Sequence, residues 1–148
     1  MDRGAGPRGR TGEALRNGLI LADSSAWVEF LRKTDSVVHR GMTELWPRLC
    51  ATPPVAMEVL AGARNERDAT RLRTVLLGAT VLEVSGSLDF DAAATIYRTC
   101  RRAGRRMRNQ LDCLIAAVAI RNRVPVLHND AAFDFIARHT ELEIHEPG

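Results

Sequence analysis

The sequence predicts an α/β fold with a mostly parallel sheet, and three observations carry that prediction. Short apolar runs rich in β-prone residues alternate with longer stretches in which apolar residues recur at i, i+3 and i+4. That alternation of strand and helix is how parallel sheets are built. The segment "QLDCLIAAVAIRNR" is apolar on nearly all sides, so its helix belongs in an interior. Finally, 148 residues make one ordinary domain with room for a core, and neither an internal repeat nor a linker interrupts them.

Residues 1–17, "MDRGAGPRGRTGEALRN", are rich in Gly and Arg and are expected to form a flexible tail, with the domain spanning 18–148. "LILA" (19–22) is the first buried strand. "SSAWVEFLRK" follows as a helix with Ser24 as N-cap and Trp27, Phe30 and Leu31 on one face. Residues 36–49 continue as a second helix, and "CAT" is a short strand before Pro53 and Pro54 open a helix over 54–63. An Arg-rich amphipathic helix covers 66–77, and "TVLEV" (80–84) is a strand. A long helix runs from about Leu88 to Ala103 and stops near Gly104. The buried helix comes next, then the strand "VPVLH" (124–128), the helix "DAAFDFIARH" and a last strand "LEIH".

The bulk properties exclude several classes. The longest apolar run, Leu114 to Ile120, is too short to span a bilayer, and the N-terminus lacks the apolar stretch of a signal peptide. Cys50, Cys100 and Cys113 are odd in number, widely spaced and free of any CxxC pair, so reduced thiols in a cytoplasmic protein are expected. The net charge of +3 permits a polyanionic partner without demanding one. Lys33 is the only lysine; the arginine bias suits phosphate recognition and equally suits a high-GC genome.

Four acids stand in or against apolar sequence: Asp23, Glu58, Asp112 and Asp130. An ionised carboxylate next to a buried segment is costly unless something compensates it. A right-handed crossover runs its helix antiparallel to its strands, so a strand's C-terminus and the next helix's N-terminus share one edge of the sheet. Asp23 ends the first strand, Glu58 lies early in the helix after the second, Asp112 opens the buried helix, and Asp130 follows the fourth strand. All four are therefore placed at the carboxyl edge, where open α/β sheets bind ligands. Singly, each could be a helix cap or an answer to a helix dipole. Four at one edge point to a shared purpose.

Four neighbouring carboxylates repel, and at least one takes up a proton unless a cation intervenes. Mg²⁺ or Mn²⁺ prefers such all-oxygen ligand sets. An ion held in this way serves phosphodiester hydrolysis by activating water and stabilising a phosphoryl displacement.

The chain resembles the PIN-domain ribonucleases, of the VapC toxin type from bacterial toxin–antitoxin pairs. The resemblance rests on four blocks in order: "ILADSSAWVEFLR", "TPPVAMEVLAGAR", "RNQLDCLIAAVAI" and "VPVLHNDAAFDFIA". It implies a three-layer α/β/α sandwich with a central parallel sheet, and an Mg²⁺- or Mn²⁺-dependent endoribonuclease acting on RNA. It also implies a homodimer and a cognate antitoxin that blocks the active site. Asp23, Glu58, Asp112 and Asp130 fall on the family's acidic quartet, Asn109 on a small polar position near the metal site, and Ser24 beside the first Asp. There are departures. Ala132 stands where many members carry a further acid, for which Asp134 is a partial substitute, and His128 stands near a usual Thr or Ser.

Six arginines crowd residues 98–108. Arg98, Arg101, Arg102 and Arg105 follow i, i+3, i+4, i+7 spacing, one helix face if the helix persists past Gly104. Arg101, Arg105 and Arg108 are the candidates for RNA phosphate contacts. Trp27, Phe30, Leu31, Leu45 and Trp46 could either fill the core or line a groove for an antitoxin helix. The alternatives are a nuclease of the same fold with a DNA substrate or a non-toxin role, and a non-catalytic module whose acids only hold a metal. A dehalogenase-type phosphatase or a receiver domain would need a lysine near the later acids, and Lys33 lies in the first helix.

Overall fold

The structure is a computed structural model that describes residues 18–32 and 35–147. The Gly/Arg-rich tail expected over 1–17 lies outside the described residues. The elements follow in the order β1 (Ile20–Ala22), α1 (Ser24–Leu31), α2 (Val37–Leu45), a short 3₁₀ turn (Trp46–Arg48), β2 (Leu49–Ala51) and α3 (Pro53–Ala61). Then come α4 (Glu66–Leu77), β3 (Thr80–Val81), α5 (Gly86–Arg102), α6 (Gln110–Asn122), β4 (Val126–Leu127) and α7 (Ala131–His139).

The sheet has the order β3-β2-β1-β4 and every pairing is parallel. Leu21 pairs with Cys50 on one side and with Val126 on the other, so β1 is central. The chain builds outward from β1 to β2 and β3, then crosses back to place β4 on the far side of β1. Right-handed crossovers in opposite directions put their helices on opposite faces. The contacts agree: α1 to α4 pack among themselves, and α5, α6 and α7 pack together, which completes a three-layer α/β/α sandwich. The point where the strand order reverses lies between the carboxyl ends of β1 and β4, the usual ligand crevice of an open α/β sheet.

Burial explains the elements. Ile20, Leu21 and Ala22 are fully buried, as are Val126 and Leu127, because helices cover both faces of these strands. Helix α6 is buried from Asp112 through Ala119, as its all-round apolar sequence requires. It ends on Arg123 in the left-handed conformation (φ 56°). Helix α5 ends in a Schellman motif: the Gly104 N–H donates to the Arg101 carbonyl and the Arg105 N–H to the Cys100 carbonyl, both at 3.0 Å. Gly104 takes φ +99°, open only to a residue without a side chain.

Four expectations need correction. Asp23, not Ser24, caps α1, because β1 carries its extended backbone one residue further. β3 is two residues long rather than five. After Leu82 donates to the Ala51 carbonyl the segment leaves the sheet, and the Glu83 carbonyl accepts from Arg121 instead. "LEIH" makes a single parallel bridge, Val126 with Ile144, rather than a strand. The arginine stripe does not exist as one helix face, since α5 stops at Arg102 and the Gly104 turn redirects the chain before Arg105.

One cross-link went unread in the sequence. Arg121 of α6 grips buried Asp89 of α5 with two hydrogen bonds, Nε to Oδ1 at 2.8 Å and Nη2 to Oδ2 at 2.9 Å. Burial raises the Asp89 carboxyl, but its bonds to Arg121 and to the Ser85 N–H, with the Arg121 charge, more than reverse this and hold it below the ordinary value. The three cysteines are buried free thiols, and burial pushes Cys50 and Cys113 up to about 12, out of reach of thiolate chemistry.

Candidate metal centre

Three elements deliver three carboxylates to one place. The central strand β1 ends in Asp23, whose Oδ2 accepts from the Ser25 N–H at 3.1 Å and the Ser25 hydroxyl at 2.7 Å. Its Oδ1 is buried and has no hydrogen-bond partner. Pro53 and Pro54 start α3 directly after β2, which sets Glu58 in its second turn. Glu58 is held from two sides: its Oε1 accepts from the Ser24 hydroxyl at 3.3 Å and its Oε2 from the Asn109 amide at 3.2 Å. Asn109 also caps α6, its Oδ1 accepting from the Leu111 N–H at 3.0 Å. Asp112 lies in the first turn of that helix and is 6% exposed. Carboxylate oxygens of Asp23, Glu58 and Asp112 lie within 4.8 Å of one another.

The electrostatics follow from this crowding. Burial pushes the Asp112 carboxyl up to about 7; the charges of Asp23, Asp130 and Glu58 add to the rise, and the charge of Arg105 opposes it. Asp23 is raised chiefly by burial, against its bonds to Ser25. Glu58 is raised by burial and by the Asp23 charge, against its bonds to Ser24 and Asn109. Among the described residues no cationic side chain forms an ion pair with any of these acids. An all-oxygen donor set that no described cationic side chain pairs with, and with one buried oxygen lacking any partner, fits a hard divalent ion.

Asp130 stands beside the cluster rather than within it. It lines the same pocket as Asp23, Glu58 and Asp112 and its charge raises all three, but its Oδ1 is engaged in capping α7 through the Ala132 N–H at 3.0 Å. Asp134 does not reach the cluster; it pairs with His128. Of the candidate arginines, Arg105 is half-buried with its guanidinium 5.5 Å from the Phe135 ring centroid. Arg101 lies 5.9 Å from the Tyr97 ring centroid, and Arg108 is exposed.

Sequence reasoning missed Ser25 and Asn129. Ser25 holds Asp23 and also accepts from the Asn129 N–H at 2.9 Å, which ties the loop after β4 to the start of α1. A second hydroxyl two residues past a capping Asp was the available signal. The aromatic residues read as possible groove lining are spent on one another. Trp27 is fully buried, edge-on to Trp46 at 6.0 Å, and Phe30 stacks on Trp46 at 5.7 Å. A groove runs between α1, α3 and α4. Val28, Leu31, Val59 and Leu72 line it with Arg32 and Arg64 alongside, and Glu58 contributes to its wall.

A parallel sheet whose reversal point gathers acids from successive elements defines a class, and residues 20–139 match its family model: the chain belongs to the PIN-domain family. Within it the chain is similar to Ribonuclease VapC11 of Mycobacterium tuberculosis, with 46% identity over 129 residues that cover 84% of this chain and 96% of the relative. Among solved structures, DNA-bound VapBC from Salmonella typhimurium aligns with a TM-score of 0.70 at 17% identity, over 86% of this chain and 96% of the other. A toxin–antitoxin complex from Klebsiella pneumoniae aligns with a TM-score of 0.62 at 16% identity, over 76% and 87%. At these identities the two structures speak for the fold.

Proposed function

We propose that the chain is an Mg²⁺- or Mn²⁺-dependent endoribonuclease that acts in the cytoplasm as the toxin of a toxin–antitoxin pair. The observation that carries this reading is the convergence of Asp23, Glu58 and Asp112, the first of which also carries a buried carboxylate oxygen that no protein group satisfies. The name of the 46%-identical relative, a ribonuclease, supports RNA as the substrate.

Asp23, Glu58, Asp112 and Asp130 are the proposed catalytic and metal-holding residues. Asp23, Glu58 and Asp112 would hold the ion, and it would supply Lewis-acid activation of a water and compensation of charge on the phosphate. The protein's own part is to hold the ligands still. Ser25 fixes Asp23 through Oδ2 and leaves Oδ1 as the free donor. Ser24 and Asn109 grip one oxygen each of Glu58 and so set the plane of its carboxylate. Outer hydrogen bonds of this kind orient ligands and raise their affinity. Arg101, Arg105 and Arg108 are the proposed RNA contacts. The charge of Arg105 is felt at Asp112, which supports a role for it in meeting a phosphate held at the acids.

The partner reading rests on the groove between α1, α3 and α4. Its apolar floor and flanking arginines suit an amphipathic antitoxin helix. A basic side chain carried past Glu58 would then oppose metal binding by charge. A homodimer completes the proposal.

Purified protein incubated with total RNA, with Mg²⁺ or with chelator, tests the central claim by mapping of the new RNA ends. Cleavage confined to the Mg²⁺ sample is expected. Intact RNA in both samples, or equal cleavage in both, defeats the proposal.

A further inference from the structure

The turn after β4 carries a chain of hydrogen bonds that the roles given so far leave unused. The Asp130 backbone N–H donates to His128 Nδ1 at 3.0 Å. On the other side of the ring, Nε2 lies 3.1 Å from Asp134 Oδ1. A backbone N–H can only donate, so Nδ1 must present its lone pair. The neutral ring then carries its proton on Nε2 and donates it to Asp134, and the two partners together define one tautomer. The ring is held in place as well: its side chain is 9% exposed and it packs on Phe133 at a centroid distance of 5.5 Å.

The neighbouring N–H of the same turn is also taken by a side chain. Asn129 donates to the Ser25 hydroxyl at 2.9 Å, and that hydroxyl donates to Asp23 Oδ2 at 2.7 Å. Two successive backbone amides of one turn are thus pinned, one to the group that holds Asp23 and one to His128. With Oδ1 of Asp130 engaged by the Ala132 N–H, the backbone of this turn decides where the rest of that carboxylate stands.

We propose that His128, oriented by Asp134, is a positioning residue: it fixes the Asn129–Asp130 turn and so sets the Asp130 carboxylate against Asp23 and Asp112. This rests on the reading of the acidic cluster as a metal-holding active site. Two substitutions separate the role from simple packing. His128→Asn puts an amide oxygen near the place of Nδ1 and keeps the acceptor while discarding the ring. His128→Phe keeps a ring on Phe133 and discards the acceptor.

The experiment uses the full purified chain and three readouts: the Mn²⁺ dissociation constant by calorimetry, kcat and KM on RNA, and the protonation of the ring nitrogens by ¹⁵N NMR. Thermal melts identify any variant that fails to fold. The Phe variant is expected to weaken Mn²⁺ binding about tenfold and to lower kcat by a similar factor with little change in KM. The Asn variant should stay within about threefold of wild type, the usual scale of losses when a ligand's support is removed being roughly 10–100-fold. The wild-type proton should reside on Nε2, and Asp134→Ala, which removes the second anchor of the ring while the Asp130 N–H still claims Nδ1, should weaken Mn²⁺ in the same direction as the Phe variant. A Phe variant equal to wild type, an Asn variant weaker than Phe, or a wild-type proton on Nδ1 overturns the proposal. A wild type that binds Mn²⁺ but cuts no RNA removes the ribonuclease reading alone, and the contrast between Asn and Phe in Mn²⁺ affinity still decides the role of His128. A wild type that binds no Mn²⁺ overturns both.

Discussion

At the scale of the residue, Asp112 shows how a site can work against the fold that carries it. Its carboxyl is raised to about 7 by burial and by three like charges. A raised carboxyl stabilises the protein fully below its ordinary value of 3.8, and that contribution is lost as pH rises through about 7. Metal-free protein should therefore melt at a lower temperature at pH 8 than at pH 5, as far as this group is concerned. Asp112→Asn removes one charge from the cluster and should raise the Tm of metal-free protein at pH 8, by free energy on the order of a few kcal/mol. The same variant should lose about 100-fold or more in RNA cleavage, because several kcal/mol of charge stabilisation go with the ligand. Scanning calorimetry in chelator and a cleavage assay in Mg²⁺ read the two effects; a variant both less stable and fully active would remove Asp112 from the site.

At the scale of the element, the pair Asp89–Arg121 bolts α5 to α6, and α6 carries Asp112 and the Asn109 cap. Asp89→Asn leaves the shape but not the charge, and should cost about 2–3 kcal/mol, the value of hydrogen bonds to a charged group. Because the Asp89 carboxyl is held below its ordinary value, its stabilisation is present above about 3.8 and disappears as pH falls through the folded value. The variant should thus differ from wild type in urea melts at pH 7 and converge on it in strong acid. The turn that joins these helices holds Arg105 and Arg108, and α5 ends with Arg101 and Arg102. Replacing Arg101, Arg105 and Arg108 by Gln should flatten the salt dependence of RNA binding, by up to about 0.7 of a log–log slope unit per lost single-strand phosphate contact. Filter binding from low to high salt measures it, and an unchanged slope would return these arginines to solvent.

At the scale of the whole molecule, the fold sets the acidic edge beside an open groove, and the proposed function predicts a phenotype. Expression of the chain alone should arrest growth, and Asp112→Asn should not. Co-expression of a cognate antitoxin should restore growth; harmless expression of an RNA-cleaving wild type would strip away the toxin role and leave the nuclease. The class of fold and the four acids were legible in the sequence because each depends on local facts. Periodicity distinguishes strand from helix, and a carboxylate against an apolar run stands out whatever surrounds it. Crossover handedness then brought Asp23, Glu58, Asp112 and Asp130 to one edge without any distance being known. What only the tertiary structure decided is which groups at that edge meet. Asp23, Glu58 and Asp112 converge while Asp130 turns one oxygen to capping α7. Ser24 and Asn109 close on Glu58 from chain positions 34 and 51 residues away. Ser25 meets Asn129 from 104 residues away, and the aromatic residues of α1 are consumed by Trp46. Such partnerships depend on side chains brought together by the packing of whole layers, and hydrogen bonds across long separations leave no period or spacing to read.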